Sequence, residues 1–229
     1  KRNRLREKRI PGKGWESILY NNLDQPILTQ DEELASDNKW LFTKYDKFGR
    51  VAYTGLVELQ SSKSTLEQEV LNTTNYWETR TSTPNSIDDK NIYYTYNAYP
   101  TNIEDFELLT INYYDDYNVD VGNLPSIPTS IYGQSITGEV SSLPTVSHVR
   151  VLETSEWVIS ATAYDQKGRS IYTSSENEYL NSVDLATNVG LILSLRYVGS
   201  YLKPGICFRY LQTSTIYSYN KLNIKHILN

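Results

Sequence analysis

The sequence predicts a mainly β protein built from antiparallel β-hairpin repeats, with one short helix near residues 64–73. Two runs carry that expectation: Tyr45-Asp46-Lys47-Phe48-Gly49-Arg50 followed by Val-Ala-Tyr-Thr, and Tyr164-Asp165-Gln166-Lys167-Gly168-Arg169 followed by Ser-Ile-Tyr-Thr. A ten-residue pattern that returns within one chain marks a repeat architecture. Composition agrees, because 20 tyrosines against 4 phenylalanines suit a large β-surface on which the ring packs and the hydroxyl reaches water or a backbone group.

Each run reads as a tight turn. Asp46 and Asp165 stand three residues before Gly49 and Gly168, which is type I turn composition: the first-position carboxylate accepts backbone N–H groups and the closing glycine tolerates positive φ. Trp40–Tyr45 and Trp157–Tyr164 lead in, and Arg50–Thr54 and Arg169–Thr173 lead out. All four are rich in aromatic and β-branched residues, as strands are.

Between the two turns the elements follow in order. Ser64-Thr65-Leu66-Glu67 has the capping-box pattern, and Leu66, Val70 and Leu71 give one apolar face, so a helix is expected over 64–73. Residues 76–81, 92–96 and 106–114 read as strands between Pro- and Asn-rich turns. The stretch 122–147, with Pro125, Pro128 and Pro144, reads as loops and short edge strands. His148–Thr154 and Trp157–Tyr164 read as a hairpin that leads into the second turn.

On the residues of the two turns, the chain resembles the YD-repeat, or Rhs-repeat, family, whose unit reads approximately Tyr-Asp-x-x-Gly-Arg-x-x-x-x-Thr. Tyr20–Thr29 is similar to a degenerate copy, with Asn21 for Asp, Asp24 for Gly and Gln25 for Arg, and Asn3-Arg4-Leu5 is similar to the Gly-Arg half of another. The linking segments Leu28–Asp31 and Lys39–Asp46 are similar in wording to the Rhs proteins of Bacteroidetes-type bacteria. The resemblance covers roughly residues 1–188. It implies hairpins wound into a shell-like β-sheet that encloses a C-terminal toxin or effector domain of the same polypeptide, on a secreted or cell-surface protein. The chain is then expected to be a fragment, with its export signal outside these residues. The family's release step uses a self-cleaving core, for which no matching motif is visible here.

Four segments follow from this reading: repeat hairpins at 1–60, a β-rich insert at 61–156 expected to continue the same sheet, a repeat hairpin at 157–188, and an atypical segment at 189–229. In the last, acidic residues vanish and the motif does not return. Two explanations stand side by side: a shift of reading frame near 188, or divergent strands, for which Leu191–Tyr197 has the composition.

Charge bears on partners. Residues 1–9 carry a net +5, residues 10–188 a net −15 and residues 189–229 a net +5. The basic start invites a nucleic-acid reading, but nine residues without interleaved aromatics make a weak phosphate-binding surface and the acidic middle opposes a polyanion. No nucleic-acid partner is expected. No apolar stretch of the roughly 18 residues that a spanning helix needs is present, so no membrane span is expected.

Catalytic chemistry has few carriers. The histidines are His148, inside an expected strand, and His226; the single cysteine is Cys207. Neither a nucleophile with its base nor a zinc site follows from such scattered residues, and no phosphate loop or nucleophile elbow occurs. No enzyme activity and no cofactor are therefore expected. Asp31-Glu32-Glu33, Asp88-Asp89 and Asp115-Asp116 sit in polar, turn-like contexts where solvated carboxylates need no function. Asp116, Asn118 and Asp120, followed by Gly122, place oxygens at alternate positions like the start of a calcium loop. The glycine comes one position late and Ile127 stands at the twelfth position, which excludes an EF-hand and leaves a looser calcium site or a plain turn.

The tyrosines and arginines of the motif admit two readings. Tyr45, Tyr53, Tyr164 and Tyr172 beside Arg50 and Arg169 would form a platform for surface glycans, since aromatic faces stack on sugar rings and guanidinium forks bind hydroxyls. Alternatively each tyrosine packs on the next hairpin and each arginine braces a turn aspartate. The function expected from the residues and the resemblance together is structural: a piece of wall in a polymorphic-toxin shell, with carbohydrate-binding adhesion as the alternative.

Overall fold

The computed structural model describes residues 3–180 and 182–187. The atypical segment 189–229, with Cys207, His226 and the expected Leu191–Tyr197 strand, lies outside the described residues. The protein is mainly antiparallel β with few helices. The described residues fall into two compact units, divided between Asn112 and Tyr113. That division falls inside the segment 61–156 marked as the insert.

The first unit opens with β1 (Glu7–Ile10), β2 (Gly14–Tyr20) and β3 (Pro26–Gln30), then the helix α1 (Glu32–Ser36), β4 (Lys39–Tyr45) and β5 (Val51–Glu58). After the helix α2 (Lys63–Asn72) come β6 (Arg80–Ile87), β7 (Lys90–Tyr94), a single 3-10 turn at Ile103–Asp105 and β8 (Phe106–Asp115). The last three residues of β8 belong to the second unit. Strands β1 to β5 lie in chain order and β8 adds beside β5, every pair antiparallel. The insert therefore divides: β8 extends the sheet, whereas β6 and β7 make a separate two-stranded ribbon.

One row of paired residues runs across this sheet, Leu19, Leu28, Phe42, Gly55 and Leu108. Its four side chains are buried, and paired residues of an antiparallel sheet share a face. Gly55 is the low point of the row. Phe42 packs into it, with its ring 4.4 Å from that of Phe106 and 6.2 Å from that of Tyr53.

The expected helix is present, but its cap is not the expected one. Ser62, not Ser64, is the N-cap, and its Oγ accepts from Thr65 N at 3.3 Å. Glu67 therefore does not close a capping box and pairs instead with Arg6. Leu66 and Val70, four apart on one face, are buried, whereas Leu71 is 50 % exposed because it lies about 100° around the helix from Val70. The helix α1 has no counterpart among the expected elements. Asp31 Oδ1 accepts from Leu34 N at 3.0 Å, which caps a helix of five residues, too short to show a period.

Strand positions shift in the insert. Residues 76–79, expected in a strand, precede it, and β6 starts at Arg80. Pro84 cannot donate to a ladder, and the β6–β7 register is irregular between Arg80 and Asn85. The strand expected at 92–96 lies at Lys90–Tyr94, because Asp88 and Asp89 both take positive φ (51° and 55°) and close a two-residue hairpin turn.

The second unit contains β9 (Ser130–Ile131), β10 (Gln134–Ser135), β11 (Val140–Arg150), β12 (Trp157–Tyr164), β13 (Ser170–Asn177) and β14 (Ser182–Thr187). Strands β11 to β14 pair in order, all antiparallel, and β9 and β10 form a small separate hairpin. The strand expected at 148–154 is the end of β11, which starts eight residues earlier at Val140. The buried residues Val146, His148, Ile159, Ala161 and Ser174 belong to this sheet.

A side chain at Gly55 would place its Cβ 2.5 Å from the Glu107 carbonyl and 2.6 Å from the Phe42 ring. Gly55→Ala is expected to lower the unfolding free energy by about 1–3 kcal/mol, the usual cost of overpacking, as read by urea denaturation.

Candidate functional site

The motif residues build three turns of one geometry. In the first strong copy, Asp46 Oδ1 accepts from Phe48 N at 2.8 Å and Arg50 N at 3.0 Å, and Asp46 Oδ2 accepts from Arg50 Nε at 2.6 Å. In the second, Asp165 Oδ1 accepts from Lys167 N and Arg169 N, both at 2.9 Å, and Oδ2 from Arg169 Nε at 2.7 Å. Gly49 N and Gly168 N donate to the aspartate carbonyls at 3.0 and 2.9 Å. Both glycines have positive φ, 81° and 72°.

The degenerate copy makes the same turn with other chemistry. Asn21 Oδ1 accepts from Leu23 N at 2.9 Å and Gln25 N at 3.0 Å, and Asn21 Nδ2 donates to Gln25 Oε1 at 2.8 Å, where the strong copies have an ion pair. Asp24 fills the glycine position with φ 64°. An amide oxygen and a neutral hydrogen bond thus replace a carboxylate and a guanidinium without changing the backbone.

Each turn is followed by the same bulge. Tyr45 pairs with Val51 and Lys44 with Tyr53, so Ala52 has no opposite number; Ile171 and Ile27 are skipped in the same way. Strand side chains normally alternate between faces, and a bulge suspends that rule. Ala52 with Tyr53, Ile171 with Tyr172, and Ile27 with Leu28 are accordingly buried as neighbours.

The motif tyrosines bind each hairpin to the segment before it, β3 for Tyr45, β11 for Tyr164 and the lead-in to β1 for Tyr20. Tyr45 OH donates to Pro26 O at 2.8 Å, Tyr164 OH to Pro144 O at 2.6 Å and Tyr20 OH to Leu5 O at 2.9 Å. Leu5 follows Arg4 as Pro26 follows Gln25, which puts Asn3-Arg4-Leu5 in the register of a further copy. Tyr45, Tyr53, Tyr164 and Tyr172, for which a glycan platform was the alternative reading, are all buried. A ring packed against protein has no face to offer a sugar. Arg50 and Arg169 brace the turn aspartates. Asp165 is held below the usual carboxylate range by its hydrogen bond from Arg169, with the backbone donors adding.

Beside the motif the structure places polar residues that sequence reasoning missed. Lys44 Nζ is buried with no exposed side chain and donates to Glu78 Oε1 at 3.1 Å, to Pro100 O at 2.6 Å and to Ala98 O. Glu78, equally buried, also accepts from Ala98 N at 3.0 Å, Asn97 N at 2.9 Å and Thr95 Oγ1 at 2.7 Å. The Tyr53 and Phe106 rings stand 5.9 and 5.5 Å from the ammonium. Burial pulls Lys44 down to about 8, opposed by the Glu78 charge, and burial with the same charge pushes the Tyr53 phenol well up. The signal for Lys44 was in the sequence: Trp40, Phe42 and Lys44 share one face of an alternating strand. Glu78 carried no such signal.

In the second unit, His148 is fully buried, with Nε2 3.0 Å from Asp120 O and its ring edge-on to Tyr113 and Trp157. Glu176 accepts from Asn123 N at 2.9 Å and Asn123 Nδ2 at 2.7 Å. The two residues pin the 116–124 loop. Within it, Asp116 Oδ1 accepts from Asn118 N at 2.8 Å and Asp120 Oδ1 from Gly122 N at 2.9 Å, the bonds of two Asx turns. The calcium candidates Asp116, Asn118 and Asp120 thus serve as local turn residues, with Asn118 engaged through its backbone. Among the described residues no group of three or more His, Cys, Asp or Glu could hold a metal ion.

No family model, no curated protein and no solved structure matches this chain. Among the described residues no helix is long and apolar enough to cross a membrane.

The folded value of Lys44, about 8, lies below the ~10.4 of an unfolded lysine. Between the two the unfolded chain holds more protons, so the Lys44 contribution to stability rises with pH over that window. Wild type is therefore expected to gain stability relative to Lys44→Met between pH 8 and roughly 10, and the tyrosines of the unfolded chain, which ionise toward the upper end of that window, are the same in both proteins. Denaturation midpoints of both proteins across that range check it.

Proposed function

We propose that this chain is a non-catalytic segment of a β-repeat wall, part of a larger secreted or cell-surface polypeptide whose shell encloses a C-terminal toxin or effector domain. One observation carries the proposal: three hairpins, two built on an Asp–Arg pair and one on Asn–Gln, hold one turn, one bulge and one tyrosine tie to the preceding segment. A geometry kept through such changes of side chain serves the stacking of hairpins. Each hairpin buries against the next a face that it could not bury alone.

The engagement of the motif side chains supports the same reading. The carboxylates, guanidinium groups and phenols named in the sequence motif are spent on turns, braces and inter-strand ties. The likeness of the motif to the YD-repeat unit supplies the rest, including the partners: the remainder of the shell and its enclosed domain. Neither a nucleic acid nor a cofactor enters the proposal.

Electron cryo-microscopy of the intact polypeptide that carries this segment tests it. A hollow β-shell whose wall contains the three turns, with a separate domain inside, is the expected result. Turns exposed on an open sheet with no enclosed domain would overturn it.

A further inference from the structure

The sheet of the first unit carries one long excursion, from the end of α2 to the start of β8. Parts of it are tied by ordinary bonds. Glu78 N donates to Tyr45 O at 2.7 Å, Thr95 N to Thr79 O at 3.0 Å, and Tyr53 OH to Thr95 O at 3.0 Å. Tyr99 packs against the cluster of Ile27, Tyr45 and Val70. Apolar contact of that kind has no direction, and it would tolerate a small slip of the segment.

The Lys44 and Glu78 charges would not. An ammonium has three donors and no acceptor, an ionised carboxylate only acceptors. Here the three ammonium partners are Glu78 Oε1 and the carbonyls of Ala98 and Pro100, while the carboxylate takes Ala98 N, Asn97 N and Thr95 Oγ1. A slip of the segment would carry these carbonyls away from the cation and these N–H groups away from the anion, leaving two buried charges without those partners. Burying a charge without partners is far costlier than any packing defect of comparable size.

Hairpin formation itself does not require the pair. The residue before the motif tyrosine is Leu19 in the degenerate copy and Ala163 in the second strong copy, and both build the same turn and bulge. A buried ion pair also returns little net stability, since desolvation offsets its attraction. We propose that Lys44 and Glu78 act as a placement lock, fixing the register in which residues 95–100 lie on the repeat sheet rather than adding to the stability of the fold. The lock is independent of what the wall encloses.

Native-state hydrogen exchange on the 229-residue chain tests the lock with Lys44→Met/Glu78→Gln, which removes both charges and keeps the size of each side chain. The reporter is the Thr95 amide, which bonds to Thr79 and to neither member of the pair. The double variant is expected to unfold at the wild-type denaturant midpoint while the Thr95 amide exchanges roughly 100-fold faster and the Ile111 amide in β8 stays protected. Unchanged exchange at Thr95 would overturn the lock, because packing alone then sets the register. A midpoint lowered as far as in Lys44→Met alone would also overturn it, because the pair then contributes stability. Lys44→Met gives a second reading that needs only one change: Thr95 must exchange faster there too, and a wild-type rate counts against the proposal.

Discussion

An oxygen at the first position of each repeat turn, Oδ1 of Asp46, Asp165 or Asn21, gathers two backbone N–H groups that would otherwise point into the turn without a strand partner. Buried donors left unmade are expensive, whereas their satisfaction returns only a modest net gain. The constraint is therefore on presence, not on charge. It explains why an asparagine can stand where the other copies have aspartate, and why the arginine can become glutamine. Once the turn is set, the positive φ of its fourth residue and the bulge beyond it follow, and two neighbouring side chains are turned inward together.

That inward turn shapes what lies around the hairpins. Tyr45 and Tyr164 each offer a main-chain carbonyl at the point where the strand runs past its neighbour, and each carbonyl is taken by a residue from outside the hairpin, Glu78 N at 2.7 Å and Thr137 N at 2.9 Å. The two units solve one problem with unrelated segments, one following the hairpin in sequence and one preceding it. In the first, the segment brings a buried anion to meet Lys44; in the second, a bridge between Ile136 and Asp165 does without charge. Repeat geometry thus sets the position of the docking point and leaves its chemistry free.

Much of this was legible in the chain because turn chemistry is local. Asp46 and Gly49, or Asp165 and Gly168, need only four residues to declare a turn, and Trp157–Tyr164 declares a strand by its alternation and composition. The degenerate copy at Tyr20 was readable only by alignment to the strong ones. What escaped was of two kinds, ambiguous or very short local signals and partners distant in sequence. Ser62 outcompeted Ser64 as a cap because both flank the same helix start, and α1 is shorter than any period it could show. Glu78 meets Lys44 across 34 residues, and no local pattern announces a partner so far away. The tyrosines misled in part, since composition marks them as β-surface residues but does not say which face water will see.

The account rests on the turn oxygen, and the most direct measurement compares Asp46→Asn with Asp46→Ala by equilibrium unfolding. Asparagine keeps Oδ1 for the two amides, as Asn21 does, but its Nδ2 faces the Arg50 donors where Asn21 Nδ2 has the Gln25 Oε1 acceptor; alanine strands the Phe48 and Arg50 amides. Alanine is expected to cost about 2–4 kcal/mol and asparagine no more than about 1 kcal/mol. Equal losses in the two variants would show that the ion pair to Arg50, not the oxygen, holds the turn, and would contradict the account.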